Sequence, residues 1–319
     1  MNAKAQAAKS VRSGRKARPL SPRDIEGVVT IDAGLGGQTR RAYFERRLAA
    51  AQHDPERHLQ FAVDEDGALA GFILGHTLEG EFGRSEPELR LEALGVKAPA
   101  QGHGLGAALG EAFEAEARSR SLGEIRTSAR WREHGLLRFL DGAGYRLAPN
   151  HILDCILADA ALGSQSEQFD SLESGATQVD LLQESDLEGI ARIDRRHTGR
   201  DRRGYLCRST REALADSAVR VSLVARMDGG VAGYLMARVD YGDFGRLEPA
   251  AVIDTVGVDP MRPRQGIGRA LLSQLFVNLR ALGVERVETV VAAGDLGLMG
   301  FFYSAGLRPS ERLSFLKQL

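Results

Sequence analysis

Short apolar runs, cut by Gly, Pro and Asp-Gly pairs, alternate along this chain with amphipathic stretches of helical period. That pattern predicts strands mixed with helices. In the first half it predicts a strand near Lys16–Leu20 and a helix with Asp24 as its N-cap. Strands follow over Gln60–Val63, Gly71–His76 and Leu89–Val96, then an amphipathic helix, a strand over Glu124–Ala129, a short helix over Leu136–Asp141 and a closing strand. The second half predicts the same order: Gln178–Leu182, a helix capped by Asp186, Val221–Ala225, Gly233–Val239, Val252–Val258 and a helix opening at Arg269. Glu285–Ala292, a short helix over Leu298–Ser304 and a last strand complete it. The Asp-Gly pairs after the second strand of each half are hairpin chemistry.

The parallel between the halves extends to residue identity. Asp186 lies 162 residues after Asp24, and the same offset relates Arg40 to Arg202, Arg41 to Arg203, Tyr43 to Tyr205, Gly71 to Gly233, Gly95-Val96 to Gly257-Val258, Gly104 to Gly266, Gly106 to Gly268, Phe139 to Phe301 and Gly144 to Gly306. Phe82-Gly83-Arg84 and Glu86-Pro87 recur as Phe244-Gly245-Arg246 and Glu248-Pro249, read as turn chemistry with an Arg–Glu pair. The period is too long for a solenoid repeat, so this is a doubled domain. The expected division is a basic tail over 1–15, a first domain over 16–157, a polar linker of small residues over 158–175 and a second domain over 176–319.

Composition narrows the classes. The chain has 319 residues, 27% of them charged, with a net charge of -1, so the chain as a whole carries no nucleic-acid signature. No apolar run reaches the roughly 20 residues of a membrane span. Cys155 and Cys207 are too few and too far apart for a zinc site or a disulfide framework, which suits a reducing, cytoplasmic setting. Lys4, Lys9, Arg12, Arg15, Lys16 and Arg18 make the N-terminus basic without an apolar core. That is no secretory signal; it reads as a disordered basic tail, a transit peptide or a nucleic-acid arm.

The chemistry concentrates in Asp254–Leu272, DTVGVDPMRPRQGIGRALL. A strand ends at Asp259-Pro260, a turn and a Gly-x-Gly loop follow, and a helix begins. Glycines there leave a helix N-terminus uncovered, whose free N–H groups and positive dipole end suit a phosphate or pyrophosphate. The stretch resembles motif A of the GNAT superfamily of acyl-CoA-dependent N-acetyltransferases: a strand ending in Val-x-Pro, then Arg/Gln-x-x-Gly-x-Gly/Ala, then a helix. The resemblance covers nearly all of both halves and implies two tandem GNAT-like α/β (α+β) domains, each a mixed, mainly antiparallel sheet flanked by helices. It implies acetyl-CoA as co-substrate, with no metal. The loop amides of Arg264, Gln265, Gly266, Ile267, Gly268 and Arg269 would bind its pyrophosphate, and the strand at Val256, Gly257 and Val258 would meet its pantetheine arm and thioester. Pro263 stands where the family has Arg or Gln and lacks an N–H. In the first half Gln101, Gly102, His103, Gly104, Leu105 and Gly106 match the loop at every position, but Val96-Lys97-Ala98 lacks the Val-x-Pro approach. His103 is either a phosphate contact or an exposed loop histidine. The cleaner second half is expected to be the active one.

Transfer to an amine needs a base, a stabilised thioester oxygen and an acid for the leaving thiolate. Strict alternation along the strand puts Val252, Asp254, Val256 and Val258 on one face, which nominates Asp254 as the base, with Glu92 its counterpart. The other reading of Asp254 is a hydrogen-bonded structural acid. The family pattern Phe-Tyr-x-x-x-Gly places its thiolate acid four residues before Gly306 or Gly144, at Phe302 or Leu140. Neither is Tyr. Tyr303, about 100° further round a helix, serves only if that helix is rotated; otherwise it is a packing or surface residue. Arg195, Arg196, His197, Arg200, Arg202 and Arg203 form a basic cluster that suits an acidic acceptor or the CoA 3′-phosphate, or is a solvated helix face.

The expected activity is therefore transfer of an acyl group, acetyl foremost, from CoA to a small-molecule or peptide amine acceptor in a ternary complex, with neither nucleic acid nor membrane as partner. A non-catalytic acyl-CoA-binding or sensing module is the alternative, favoured by the missing Tyr. A dinucleotide-binding oxidoreductase fits poorly, because Gly266 lies eight residues past Val258 and repeated βαβ units are absent.

Overall fold

The computed structural model describes residues 16–36, 39–78, 87–158, 177–215, 221–240 and 248–319. The first half runs β1 (Arg18–Pro19), α1 (Ile25–Gly36), α2 (Arg41–His53), β2 (His58–Glu65), β3 (Ala68–Leu78), β4 (Glu88–Val96), α3 (Leu105–Ser119), β5 (Glu124–Arg130), α4 (His134–Gly142), β6 (Arg146–Leu147) and β7 (Asn150–Ile156). The second runs β8 (Gln178–Leu181), α5 (Leu187–Thr198), α6 (Arg203–Ala215), β9 (Leu223–Met227), β10 (Gly230–Asp240), β11 (Ala250–Val258), α7 (Ile267–Ala281), β12 (Arg286–Ala292), α8 (Leu296–Ser304), β13 (Arg308–Pro309) and β14 (Arg312–Gln318). The basic tail, the segment 159–176, and the repeated Phe82-Gly83-Arg84 and Phe244-Gly245-Arg246 lie outside the described residues.

Asp66-Gly67 and Asp228-Gly229 close the two hairpins with φ of 53° and 76°, and 51° and 74°. Two successive left-handed residues match the right-handed twist of the flanking strands, and Asp and Gly tolerate them best. Asp24 and Asp186 do not cap forward. The Asp24 carboxylate accepts the Ser21 amide at 2.8 Å and Arg18, while Asp186 accepts the Gln183 amide at 2.9 Å and Arg226 at 2.6 Å. Helices α2 and α6 escape the periodicity. In α2 the buried residues are Tyr43, Phe44 and Leu48, an uneven spacing among charged neighbours.

The strands form two seven-stranded mixed sheets, in the orders β1-β2-β3-β4-β5-β14-β6 and β13-β7-β12-β11-β10-β9-β8. The halves exchange their last strands. β7 lies antiparallel against β12, with Asp154 opposite Glu288, and β14 lies against β5, with Ser314 opposite Ser128. The chain crosses from one sheet to the other through Ala148-Pro149 after β6, and through Ser310-Glu311 after β13.

Each sheet is packed on both faces. Helix α7 buries Leu271, Leu272, Leu275, Phe276 and Leu279 completely against β9 to β12, while α5 and α6 pack Ile190, Ile193 and Leu206 on the opposite face with Tyr234 and Met236. Burying each such aliphatic or aromatic side chain is worth about 1.5–3 kcal/mol. The helix is thus anchored along its length, and the loop at its N-terminus has a fixed base.

Candidate functional site

The two Gly-x-Gly loops fold alike. Gly104 and Gly266 are helix N-caps in the left-handed region, with φ of 84° and 73°, and no side chain caps either helix. The first intrahelical bonds are Ala108 N–H to Gly104 O at 3.0 Å and Ala270 N–H to Gly266 O at 2.9 Å. The amides of Leu105, Gly106 and Ala107, and of Ile267, Gly268 and Arg269, precede that ladder and remain for a ligand. The second glycine has a different task. A Cβ on Gly268 would come within 3.1 Å of the Phe301 ring, and one on Gly106 within 3.2 Å of Phe139. These glycines let α8 and α4 close on the loop.

The loops differ in charge. Arg264, left-handed at φ 60°, stands where the first half has Gly102 at φ 80°. The stretch 262–269 carries Arg262, Arg264 and Arg269, whereas its counterpart 100–107 carries no Lys or Arg. Arg262 reaches back to Asp228 at 2.7 Å. His103 lies 3.7 Å from the Glu65 carboxylate. Around the second loop is a cleft of about 400 Å³, lined by His197, Val258, Arg264 to Arg269 and Phe301 among others. His197 Nε2 is 2.6 Å from the Val258 carbonyl; in the first half the Gln101 side-chain amide donates to the Val96 carbonyl at 3.1 Å. Asp259 fixes the turn after β11 by accepting the Met261 amide at 3.1 Å and Arg196 at 2.6 Å. Burial works against its charge, but these two donors outweigh it and hold the carboxyl below its ordinary range.

Beside each loop the central parallel strands part. β11 pairs with β12 only from Ala250 to Ile253, then runs on to Val258 without it; β4 pairs with β5 only at Leu89 and Arg90. A buried hydroxyl marks each fork: Thr289 donates to the Ile253 carbonyl at 3.1 Å and Thr127 to the Leu91 carbonyl at 3.0 Å. Beyond the fork, one backbone edge of Val256, Gly257 and Val258 has no strand beside it among the described residues.

A β-bulge sits at each fork, because the register against the neighbouring strand skips Asp254 in β11 and Glu92 in β4. The bulge corrects the expected shared face. Ala251, Ile253, Val256 and Val258 all pack toward α7. Thr255 meets Tyr205 of α6 at 3.3 Å, and Gly257 lies against Tyr234. Asp254, as the extra residue, joins the α5–α6 face, opposite Val256 and Val258. There it pairs with Arg238 of β10. Glu92 in the first half pairs with Arg47 at 2.5 Å and His76 at 3.0 Å, and its side chain is 1% exposed against 16% for Asp254. One acid is sealed and the other is accessible.

Tyr303 stands apart from these groups. It is 36% exposed, Arg308 lies over its ring at 5.6 Å, and it does not line the cleft, whereas its neighbour Phe301 does. Phe302 and Leu140, at the position of the family's Tyr, are fully buried. Two residues of the basic cluster are committed elsewhere. Arg202 pairs with buried Asp194, which also accepts Tyr234 at 3.1 Å, and Arg203 pairs with Glu188. Arg40–Asp32 and Arg41–Glu26 repeat both pairs in the first half. Periodicity does not reveal Arg238, with His76 at the equivalent place; only its pairing with Asp254 in the structure brings it into view.

Among the described residues no helix is long and apolar enough to cross a membrane, and no group of three or more His, Cys, Asp or Glu is placed to hold a metal ion. No curated protein sequence matches the chain. Among solved structures, it is similar to a glucosamine N-acetyltransferase region of a fungal multidomain GH3 β-N-acetylglucosaminidase, with TM-score 0.67 and 16% identity over 96% of this chain. The match spans only 38% of that larger protein. A tandem GNAT protein from the clavulanic acid biosynthesis pathway matches with TM-score 0.64 and 15% identity, over 95% of this chain and 98% of that one. A GCN5-related N-acetyltransferase from Sphaerobacter thermophilus matches with TM-score 0.60 and 18% identity, over 95% of each. At such identities the likeness concerns the fold. The model of the acetyltransferase (GNAT) family matches twice, over residues 31–139 and 187–307, and with both halves covered the chain belongs to that family as a tandem member.

Proposed function

We propose that the chain is an acyl-CoA-dependent N-acyltransferase that moves acetyl from acetyl-CoA to a primary amine, and that its second half does the chemistry. The observation that carries this reading is the cleft that joins the cationic, uncapped α7 N-terminus to the end of β11 at Val258, past the point where β11 parts from β12. Both features fit the co-substrate. The amides of Ile267, Gly268 and Arg269, with the Arg264 and Arg269 side chains, suit a diphosphate. The strandless edge from Val256, short of the Val258 carbonyl that His197 meets, suits the amides of a pantetheine arm, as in the family. Acetyl-CoA supplies an acyl thioester there. Asp254, on the other face of the fork, orients the amine and takes its proton. Asp254 is paired with Arg238, and water shares the proton transfer. With Phe302 buried and Tyr303 outside the cleft, thiolate protonation also falls to solvent.

The test uses loop variants of the full chain. Gly266→Glu puts a carboxylate where the diphosphate should sit, and is expected to abolish both acetyl-CoA binding by calorimetry and thiol release with an amine panel. Gly104→Glu should spare most of both. The reverse result moves the site to the first half. Tight binding with no thiol release for any amine would make the chain an acyl-CoA-binding module. For Asp254→Asn, the transfer rate should fall by roughly 10²–10⁴ if the acid accepts the proton, with acetyl-CoA affinity unchanged.

A further inference from the structure

The last carbonyl of the central strand poses the same problem in both halves. The Asp259 amide donates to the Ala232 carbonyl of β10 at 2.8 Å, and the Lys97 amide to the Ala70 carbonyl of β3 at 2.9 Å. In a trans peptide the C=O points opposite to the N–H. Val258 and Val96 therefore turn their carbonyls away from β10 and β3, to the side on which β12 and β5 have already parted. A side chain meets each carbonyl, but from a different element. Gln101, inside the first loop, donates to Val96 at 3.1 Å. The 162-residue offset puts Pro263 at the place of Gln101, and Pro has neither a side-chain donor nor an N–H. In the second half His197, from the last turn of α5, lies 2.6 Å from the Val258 oxygen. A carbonyl only accepts, so Nε2 carries the proton. The place of His197 in the first half is taken by Leu35. The donor has moved from loop to helix. Arg196 beside it adds a hold on Asp259 that Gly34 and Lys97, at the equivalent places, cannot form.

We infer that His197 is the positioning residue of the second loop: by holding the Val258 carbonyl it fixes the turn over 259–265 from α5, the task that Gln101 performs from within the first loop. This rests on the reading of the cleft as the acyl-CoA site and deepens it. His197, Val258, Asp259 and Pro263 all line that cleft. The bond also occupies an oxygen at the wall of a cleft assigned to a diphosphate, where a bare acceptor would oppose the anion. His197 is exposed, so replacing it leaves the fold intact.

A double-mutant cycle on the full chain tests the inference. His197→Leu installs the first half's residue, and Pro263→Gln installs its loop donor. Acetyl-CoA affinity by calorimetry should fall roughly tenfold in His197→Leu, with kcat for an accepted amine kept within about twofold. The same replacement should cost no more than about threefold in the Pro263→Gln background. The cycle reads the coupling, so any effect of Pro263→Gln by itself cancels. Equal losses in both backgrounds, or none in either, overturn the inference. Hydrogen exchange on the ligand-free proteins separates it from the acyl-CoA reading. The Asp259, Met261 and Arg262 amides are hydrogen-bonded within or beside the turn. In His197→Leu they should exchange at least about fivefold faster, with the Lys97 and Gln101 amides unchanged, and Pro263→Gln should slow them again. That result, without acetyl-CoA binding by the unsubstituted chain, keeps His197 as the positioning residue and removes the co-substrate. Acetyl-CoA binding with exchange unaltered by His197→Leu does the opposite.

Discussion

The junction between the sheets turns on one buried cation. Arg312 of β14 donates to both Glu288 oxygens of β12 at 3.0 Å and to the Ser128 hydroxyl of β5. Its side chain is 7% exposed and that of Glu288 3%. Arg312→Met keeps most of the volume and removes the charge. Glu288 then loses its buried ion pair with Arg312, a break that costs about 3–5 kcal/mol, and Ser128 loses a bond worth about 1 kcal/mol. The double variant Arg312→Met/Glu288→Gln removes the buried charge and should recover at least about 2 kcal/mol of that loss. Urea unfolding measures this, followed by far-UV circular dichroism for both sheets and by the fluorescence of Trp131, the chain's single tryptophan. Trp131 follows β5 and donates its amide to Glu311 at 3.2 Å, so it reports on the junction. Because each sheet contains a strand of the other half, the two signals should trace one transition. A loss below about 1 kcal/mol for Arg312→Met, or two resolved transitions in the unsubstituted protein, would refute the reasoning.

Two further expectations follow from local chemistry. His58 is held neutral, its pKa pushed down to about 4 chiefly by burial and then by His76, against the pull of Glu92 and Asp54, with Arg47 adding to the depression. The unfolded chain takes up that proton near pH 6.5, so the native state keeps its full advantage above about 6.5 and loses it as pH falls toward 4, by at most about 1.4 kcal/mol per pH unit. Asp24, lowered to about 2 by Arg18, loses its contribution only below its ordinary range, so the two windows are distinct. Urea midpoints at pH 7 and pH 5 should differ, and His58→Gln should flatten the difference. Arg264→Gly relieves a left-handed arginine, worth about 1–2 kcal/mol, against a similar gain in unfolded-chain entropy, so stability should move by less than about 1 kcal/mol. Acetyl-CoA affinity should fall roughly tenfold if the guanidinium meets a phosphate. Unchanged affinity in calorimetry would take Arg264 out of the site.

How far the sequence reaches depends on the scale of the feature. Asp66-Gly67 and Asp228-Gly229 carry their turn type in their own residues, and the 162-residue offset exposes the duplication without any structural input. The loops are legible for the same reason, since Gly104 and Gly266 each need a left-handed φ. The bulges are not. AVIDTVGV reads as an unbroken strand, and only the register against β10, Met236 opposite Thr255 and then Ala237 opposite Ile253, reveals the extra residue. One skipped position turns Asp254 to the other face, which separates the acid from Val256 and Val258 and brings it to Arg238.

The strand exchange is invisible for a different reason. HILDCI and RLSFLKQ are both amphipathic strands, and either sheet would bury the apolar side of either one. What directs them is the crossing. Only Ala148-Pro149 separates β6 from β7, and only Ser310-Glu311 separates β13 from β14, so each closing strand leaves its own sheet within two residues. The boundary expected at residue 157 does not coincide with a division of the sheets, since β7, before it, belongs to the second sheet. β7 lies along β12, and β12 is the strand from which β11 parts at Thr289. The first half thus builds the outer support of the second half's fork. A second half expressed from residue 176 alone would expose the edge of β12 that β7 covers, and would carry β14 with no partner. The second half depends on the first for the support of its fork, which gives the first half a structural task whether or not its own loop ever holds a ligand.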